Sequence, residues 1–270
     1  MLSVQTALPD LQLRRFVRSY VQRETGASEL EIIEPVVARL GVMLEFQFGR
    51  PFQVPIYGTQ SCLLAPRICV IGPMNQRTYY LLIRDQVETF TVLFRPDGFR
   101  AVFGIPTSAF LNVGIEGQSV LGQGVNKLFE QLGNTRLFAT RGQLMDRFLL
   151  HSFECRAPLD RIHRALNALA SARSSRIKIA DLAIQAGVTT RHLERKSLDY
   201  MGMSPKMLVR VGRFQRALRM KSANSGSWAE VAHKLDYFDQ MHMIRDFKAF
   251  AGEAPTRALE QIAPDHLISL

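Results

Sequence analysis

The chain has 270 residues, and 47% of them are hydrophobic, which is enough to fill the cores of two ordinary domains. Apolar runs such as FTVLF at 90–94 fall far short of the ~20 residues that cross a bilayer, and the amino terminus lacks a secretory pattern. We therefore expect a cytoplasmic protein with no membrane partner. The net charge of +10 favours a polyanionic partner, and residues 160–270 carry 18 Lys and Arg against 11 Asp and Glu.

The first half of the chain has the pattern of a β-domain. Short apolar or alternating runs broken by Gly, Pro and Asn predict strands within 42–54, 61–71 and 79–94. No helical period of ten or more residues separates them, so an antiparallel sheet or small barrel is favoured over a βαβ arrangement. Apolar spacings of three and four then predict two closing helices at 118–133 and 141–153. We place the domain boundary near residues 154–160, with a first domain over 1–155 and a second over 160–270.

The second half of the chain contains the same short sequence pattern, or frame, twice. TTRHLERKSLDYMGMSP at 189–205 and DQMHMIRDFKAFAGEAP at 239–255 place a His, an Arg, a Gly and a Pro at the same internal spacing. Upstream, IADLAIQAGV at 179–188 matches WAEVAHKLDY at 228–237, and Phe238 is an extra residue in the second turn. Each copy predicts a short helix, a tight turn and a second helix, so the sequence indicates two helix-turn-helix units.

Capping residues set the predicted limits of the second helix in each unit. Thr189 and Asp239 can accept hydrogen bonds from the free N–H groups of the first turn, while Gly202 and Gly252 suit the left-handed position after a helix. A joining helix is predicted from Ser204 to about residue 223. Its ~20 residues span ~30 Å, close to the ~34 Å between successive major grooves on one face of B-DNA.

The last ~110 residues resemble the DNA-binding domain of the AraC/XylS family of bacterial transcription regulators, through LAIQAGVTTRHLERK, GMSPK, RFQRAL and VAHKLDYFDQMHMIRDFKAFAGEAP. The resemblance implies a double-stranded DNA partner, and RNA polymerase as a further partner if the protein activates transcription. By position in the family frame, the DNA-binding residues are Arg191, Glu194, Arg195, Gln240, Met241, His242 and Arg245. Their side chains suit guanine, cytosine and adenine edges, and the alternative is a plain solvated helix face.

Three positions depart from the family pattern. Ser197 stands where the family usually carries a buried aromatic, as Phe247 does in the second copy, so we expect the first unit to be less well packed and Ser197→Phe to stabilise it. Asp236 replaces the usual turn Gly, and Ala254 replaces the Ser cap before Pro255. We expect these changes to lower local stability, and they have less effect on the fold assignment.

The first domain more weakly resembles the cupin-like N-terminal domain of some of these regulators, through FTVLFRPDGFRAVFGIP at 90–106 and LRRFVRSY at 13–20. This implies a small-molecule effector or a homodimer, with helices such as those at 118–133 and 141–153 used for pairing. An inert dimerisation module is the alternative to a sensor. Arg67, Arg77 and Arg84 are candidates to meet an acidic effector.

A cupin-type enzyme fused to a DNA-binding domain is the rival function. All six histidines lie at residue 151 or later, so residues 1–150 offer no His-based metal site and no His base for a Ser or Cys nucleophile. We expect no catalytic residues, no metal and no cofactor. Three cysteines without a CxxC pair predict buried, unpaired thiols. The predicted fold class is α+β, with a cupin-like antiparallel sheet or barrel and closing helices followed by an all-α double helix-turn-helix domain.

Overall fold

The structure is a computed structural model that describes residues 2–25, 31–84, 86–153, 161–171, 178–223 and 226–262. The predicted domain boundary near residues 154–160 lies outside the described residues, as does Cys155. Within the described ranges, no helix is long and apolar enough to cross a membrane.

The described residues of the first domain form ten strands, and each of the three predicted strand regions contains two of them. They are β1 (Leu2–Ala7), β2 (Val17–Thr25), β3 (Glu31–Val36), β4 (Met43–Gln47), β5 (Gln53–Pro55), β6 (Cys62–Leu64), β7 (Ile68–Ile71), β8 (Tyr79–Arg84), β9 (Glu88–Phe94) and β10 (Gly114–Glu116). All pairs are antiparallel, in a six-stranded sheet of order β1-β2-β9-β4-β7-β10 and a four-stranded sheet of order β3-β8-β5-β6.

Helices complete the first domain: α1 (Gly98–Phe103), a 3-10 turn (Thr107–Phe110), α2 (Gly117–Leu121), α3 (Gly124–Gly133) and α4 (Phe138–Phe153). The prediction of one helix over 118–133 is wrong, because Gly122 breaks it. Gly122 has φ 77° and ψ −177°, a conformation that essentially only glycine adopts. The apolar faces of α3 and α4 then pack with the large sheet in an aromatic-rich core.

The regular structure of the second domain is all helical over the residues described between 161 and 262. It contains α5 (Arg161–Ala170), α6 (Ile179–Ala186), α7 (Thr190–Met201), α8 (Pro205–Ala223), α9 (Trp228–Lys234), α10 (Gln240–Ala251) and α11 (Pro255–Gln261). The predicted α+β fold class is confirmed. The core of this domain also includes Val37, Ala38 and Leu40 from the segment after β3, so the two domains share apolar packing.

Candidate DNA-binding interface and ligand cavity

The two turns of the repeat have the same backbone hydrogen bonds. In the first unit Val188 N–H donates to Ala183 O at 3.0 Å, and in the second Tyr237 N–H donates to Ala232 O at 3.0 Å, forty-nine residues later. Gly187 has φ 72°, and at the equivalent position Asp236 has φ 53°. Asp236, which replaces the usual glycine, therefore adopts the left-handed backbone conformation that favours glycine.

The second helix of each unit, α7 or α10, begins and ends in the same way. The Thr189 hydroxyl accepts from His192 N–H at 3.2 Å, and the Asp239 carboxylate accepts from His242 N–H at 2.6 Å. Gly202 and Gly252 end these helices with φ 69° and 76°. The predicted caps are all present, and α8 joins the two units over 19 residues.

Six of the seven predicted DNA-binding side chains are exposed, and they lie in the first half of each recognition helix, α7 or α10. They are Arg191, Glu194, Arg195, Gln240, Met241 and Arg245. Arg195 Nη2 lies 3.5 Å from His192 Nδ1, and Arg245 Nε donates to Met241 O at 3.4 Å, so each arginine stays close to its own helix surface.

His242, the seventh predicted residue, is half-buried in a polar cluster between α8 and α10. Its Nε2 lies 3.4 Å from Arg213 Nη2, and its ring contacts Tyr237 edge to face. Asp246, 1% exposed, accepts from Arg213 at 3.2 Å and from Arg210 at 2.7 Å. Burial raises the pKa of Tyr237, with the Asp246 charge adding to the effect. This cluster fixes α10 against the joining helix, which gives His242 a packing role in addition to its predicted DNA contact.

Phe238 is a residue that the sequence reasoning treated only as an insertion. Its side chain is 92% exposed, directly before the Asp239 cap of α10, and Met241 is 59% exposed on the next turn. The sequence feature that points to Phe238 is the extra residue in the second turn. An exposed aromatic beside a recognition helix is a candidate contact that the first unit lacks.

The two other departures have different outcomes. Ala254 precedes α11 without a side-chain cap, as expected from its methyl group. Ser197 is fully buried, but its hydroxyl donates to Met203 O at 2.5 Å, so the expectation of a loosely packed site is wrong. In the first unit the Ser197 hydroxyl forms a hydrogen bond at this position, and in the second unit the Phe247 ring packs there.

A cavity of about 310 Å³ lies between the two sheets of the first domain. Its lining is mostly apolar, with Met43, Ile71, Val54, Leu63 and Leu81 among the side chains, and Ile262 of the helical domain borders it. Cys69 lines it and is buried as predicted, whereas Cys62 is exposed, so that prediction is wrong for Cys62. Burial raises the pKa of the Cys69 thiol to about 12.

Charged groups in this cavity are Arg23, Arg39 and Glu45. Arg39 is 7% exposed; its Nη2 donates to Gly72 O at 3.4 Å, and its Nε has no hydrogen-bond partner among the described residues. Burial lowers the pKa of Arg39 to about 10, and the Glu45 charge opposes that shift. The sequence reasoning missed these arginines.

The predicted effector candidates lie elsewhere. Arg67 and Arg84 are exposed, the latter paired with Glu31 at 3.0 Å, and Arg77 contacts the helical domain. Among the described residues, no three His, Cys, Asp or Glu side chains come together in a group that could hold a metal ion.

The first domain contacts the carboxyl-terminal end of both recognition helices. At α7, the Thr107 hydroxyl donates to Asp199 O at 3.4 Å. At α10, Ala38 N–H donates to Phe250 O at 3.0 Å and Arg77 Nη1 donates to Ala251 O at 2.8 Å. The last carbonyls of a helix lack partners within the helix, and here the neighbouring domain supplies donors for them.

Comparison with known proteins agrees with this architecture. Residues 182–261 match a family model described as a helix-turn-helix domain, and residues 5–116 match a domain of unknown function (DUF6597). An uncharacterized HTH-type transcriptional regulator, YidL of Escherichia coli, is 30% identical over 99 residues, which are 37% of this chain. The matched stretch spans 33% of the length of YidL.

Solved structures of ToxT from Vibrio cholerae share the fold along nearly the whole chain. An apo ToxT variant gives a TM-score of 0.52 at 9% identity, covering 90% of this chain and 98% of its own. ToxT with a bound unsaturated fatty acid gives 0.50 at 10% identity, covering 97% and 96%. The doubled helix-turn-helix frame and the family model that covers it lead to one conclusion: residues 182–261 form a helix-turn-helix domain, in a chain that shares the two-domain fold of ToxT.

Proposed function

We propose that this regulator reads two adjacent major-groove segments of one DNA site and is controlled by a small apolar acid bound in its first domain. The observation that carries the DNA-binding part is the equivalence of the two units in turn geometry, caps and exposed residues. The joining helix α8 has 19 residues, so it spans ~28 Å, comparable with the ~34 Å between successive grooves on one face of the duplex.

The exposed residues give the two units different preferences. Arg191 and Arg195 suit guanine edges and Glu194 suits cytosine, whereas Gln240 suits adenine. Met241 offers an apolar contact for a thymine methyl group. We therefore infer that the first unit discriminates more sharply between G·C and A·T pairs than the second.

Charge and volume point to the class of effector. Ligand pockets are typically ~300–1,000 Å³ with apolar walls and a few polar groups, and the cavity between the sheets falls at the lower end of that range. Arg39 is buried in the lining and its Nε has no hydrogen-bond partner among the described residues, which fits a single carboxylate. ToxT has been solved with an unsaturated fatty acid, and a fatty acid is the first ligand to test here.

A short path connects this cavity to DNA binding. Arg39 lines the cavity, while its neighbour Ala38 donates its N–H to Phe250 O at the end of α10. Ile262, which follows α11, borders the same cavity. A carboxylate that moves Arg39 would shift the backbone that holds α10, so ligand binding would change the arrangement of the two recognition helices.

Self-association is the alternative mode of control. The connection between α3 and α4 presents Leu137, which is 70% exposed, on the two helices expected for pairing. Sedimentation of the full chain with and without DNA distinguishes a dimer from a monomer. Contact with RNA polymerase is a further proposal, which applies if the protein activates transcription.

Selection of bound DNA from a random pool with the full chain tests the DNA-binding proposal. We expect a site with two protected segments about 10 base pairs apart on one face of the duplex.

Arg195→Ala or Arg245→Ala should cost about 1–3 kcal/mol of binding free energy and relax the base preference at one position if the residue contacts a base. If the residue contacts a phosphate, affinity should fall on all sequences, and the slope of log affinity against log salt concentration should become shallower by about one unit. Arg164→Ala, which removes an exposed arginine from α5, is the matched control. Unchanged affinity in the Arg195→Ala, Arg245→Ala double variant would contradict the two-groove reading.

Thermal shift with unsaturated fatty acids of increasing chain length tests the effector. The acid should raise the melting temperature more than the alcohol of the same chain, because only the acid can pair with Arg39. Arg39→Met should abolish that difference, and Arg84→Met, which removes an exposed arginine outside the cavity, should leave it intact. An equal response to acid and alcohol in the unmodified protein would exclude the carboxylate.

A further inference from the structure

Among the described residues the sheets of the first domain end in four edge strands, and three of these are protected against pairing with another chain. Strands β6 and β10 have only three residues each. Strand β3 contains Pro35 and two glutamates, Glu31 and Glu34. Short length, charge and proline are the usual features that keep an edge strand from pairing. Strand β1, with the sequence LSVQTA over six residues, has none of these features.

The outer side of β1 offers backbone groups to a further strand. On its inner side β1 pairs with β2 along its whole length, from Leu2 opposite Thr25 to Ala7 opposite Tyr20. No other described strand pairs with its outer side, which forms one edge of the six-stranded sheet. Alternate residues of such an edge direct their N–H and C=O groups away from the sheet. Another extended strand is the partner that matches the spacing of these groups.

Three exposed leucines lie next to this edge. They are Leu8, Leu11 and Leu137, which are 62%, 74% and 70% exposed. The first two follow β1 directly in the chain. The third is located by a cross-strand contact, because Gln5 lies opposite Gln22, and Gln22 Nε2 donates to Arg136 O at 3.2 Å. Residues opposite one another in an antiparallel pair share a face of the sheet, so Leu137 lies close to the face that carries Gln5.

A second copy of the same strand fits this edge. A two-fold axis perpendicular to the sheet sets residues of the same face opposite one another, so the registers with the largest overlap are centred on Val4 or on Gln5. In both registers every opposed pair is uncharged, and no like charges meet. Neighbouring strands lie ~4.8 Å apart, so the two β2 strands would be about 14 Å apart. At that distance the Leu137 residues of both copies flank the two central strands on the same face.

We propose that β1 of one chain pairs in antiparallel fashion with β1 of a second copy, so that two six-stranded sheets become one sheet across a homodimer. A closed two-fold pairing requires a surface that is complementary to itself, and an uncharged strand flanked by leucines meets that requirement. A different protein would have to supply a free strand of its own, whereas every copy of this chain carries one. This surface differs from the pairing through α3 and α4, and it depends neither on DNA binding nor on the effector.

Size-exclusion chromatography with light scattering measures the mass of the full chain without DNA over a series of protein concentrations. We expect the unmodified protein to have twice the mass of one chain. Gln5→Lys brings a lysine close to its own copy in either register, and should raise the dissociation constant of the dimer about tenfold or more, because like charges then meet across the interface. Gln5 is exposed, and the matched control Gln60→Lys adds the same charge at an exposed position between β5 and β6. The control should stay dimeric.

An equal mixture of two variants separates loss of pairing from damage to the fold. Gln5→Lys and Gln5→Glu should each be largely monomeric at a concentration where the unmodified protein is a dimer. Their mixture should regain the dimer, because opposite charges then meet across the two β1 strands. A variant that had not folded would not regain it.

Three results would overturn the proposal. The first is an unmodified protein that stays monomeric at every concentration. The second is a dimer that persists in Gln5→Lys, or that Gln60→Lys weakens equally. The third is a mixture of the two Gln5 variants that stays monomeric. A dimer that persists in Gln5→Lys but dissociates in Gln143→Lys, which adds a charge to an exposed position of α4, would place the interface on the helices instead. Because no DNA is present in this measurement, each of these results leaves the DNA-binding proposal to its own test.

Discussion

Ser197→Phe gives the first helix-turn-helix unit the aromatic that Phe247 supplies in the second, and the structure predicts that this change destabilises the protein. Ser197 is fully buried on α7, and its hydroxyl donates to Met203 O at 2.5 Å. Phenylalanine would break that hydrogen bond and insert a much larger side chain at a fully buried position. The equivalent Phe247 has room because it packs against Phe214 and Trp228, with ring centroids 4.9 and 5.2 Å away.

The expected size of the effect follows from two terms. Leaving a buried carbonyl without its partner costs about 1–3 kcal/mol, and inserting a large side chain into a packed core costs about 1–3 kcal/mol. The free energy of unfolding should therefore fall by about 2–6 kcal/mol. At ~2–4 °C per kcal/mol for a chain of this size, the melting temperature should fall by about 5–20 °C.

Differential scanning calorimetry of the full chain measures this change, and two variants separate its terms. Ser197→Ala removes only the hydrogen bond and should cost about 1–3 kcal/mol. Phe247→Ser makes the reverse substitution in the second unit and should cost about 3–5 kcal/mol. A higher melting temperature for Ser197→Phe, or a Ser197→Ala variant as stable as the unmodified protein, would refute the packing described here.

Three further changes have expected outcomes. Asp236→Gly should raise the free energy of unfolding by about 1 kcal/mol in urea denaturation, because a side chain in the left-handed region costs roughly that much; a loss would show that the Asp236 side chain stabilises the turn. Ala254→Ser should add an N-cap to α11 and stabilise the protein by about 1 kcal/mol in the same assay, whereas Ala254→Val, which adds no acceptor, should not. Arg77→Met should remove the charged hydrogen bond to Ala251 O, costing about 1.5–3 kcal/mol, and should lower the calorimetric transition; an unchanged transition would mean that this contact does not hold the domains together.

The features that were predictable from the sequence depend on local backbone chemistry. Gly202 and Gly252 end helices because the left-handed position follows the last turn, and Thr189 and Asp239 begin them because a side-chain oxygen meets free N–H groups. The extra residue Phe238 also follows from comparing the two copies. Each of these signals lies within a few residues of the structure that it specifies, so no long-range contact was needed.

The features that the sequence did not reveal depend on residues far apart in the chain. Arg23 and Arg39 reach one cavity only because β2 and the segment after β3 meet across the two sheets. Strands β1, β3 and β10 lack a distinctive pattern of their own and form by pairing with β2, β8 and β7. The Ser197 hydroxyl donates to Met203 O, which lies beyond the end of α7. The residue type alone therefore indicated poor packing at a position where the structure has a hydrogen bond.

The contacts at the ends of α7 and α10 connect the first domain to both helix-turn-helix units. If α8 alone set the spacing between the units, contacts of the first domain with either recognition helix would be unnecessary. Instead the first domain supplies donors to Asp199 O at the end of α7 and to Phe250 O and Ala251 O at the end of α10. The negative end of a helix dipole favours a cation, and Arg77 occupies that position at α10. A small movement of the first domain must therefore either carry both helices with it or break hydrogen bonds at one of them. Under the proposal that α7 and α10 read adjacent major grooves at a fixed spacing, a shift at one end is sufficient to change affinity for the whole site.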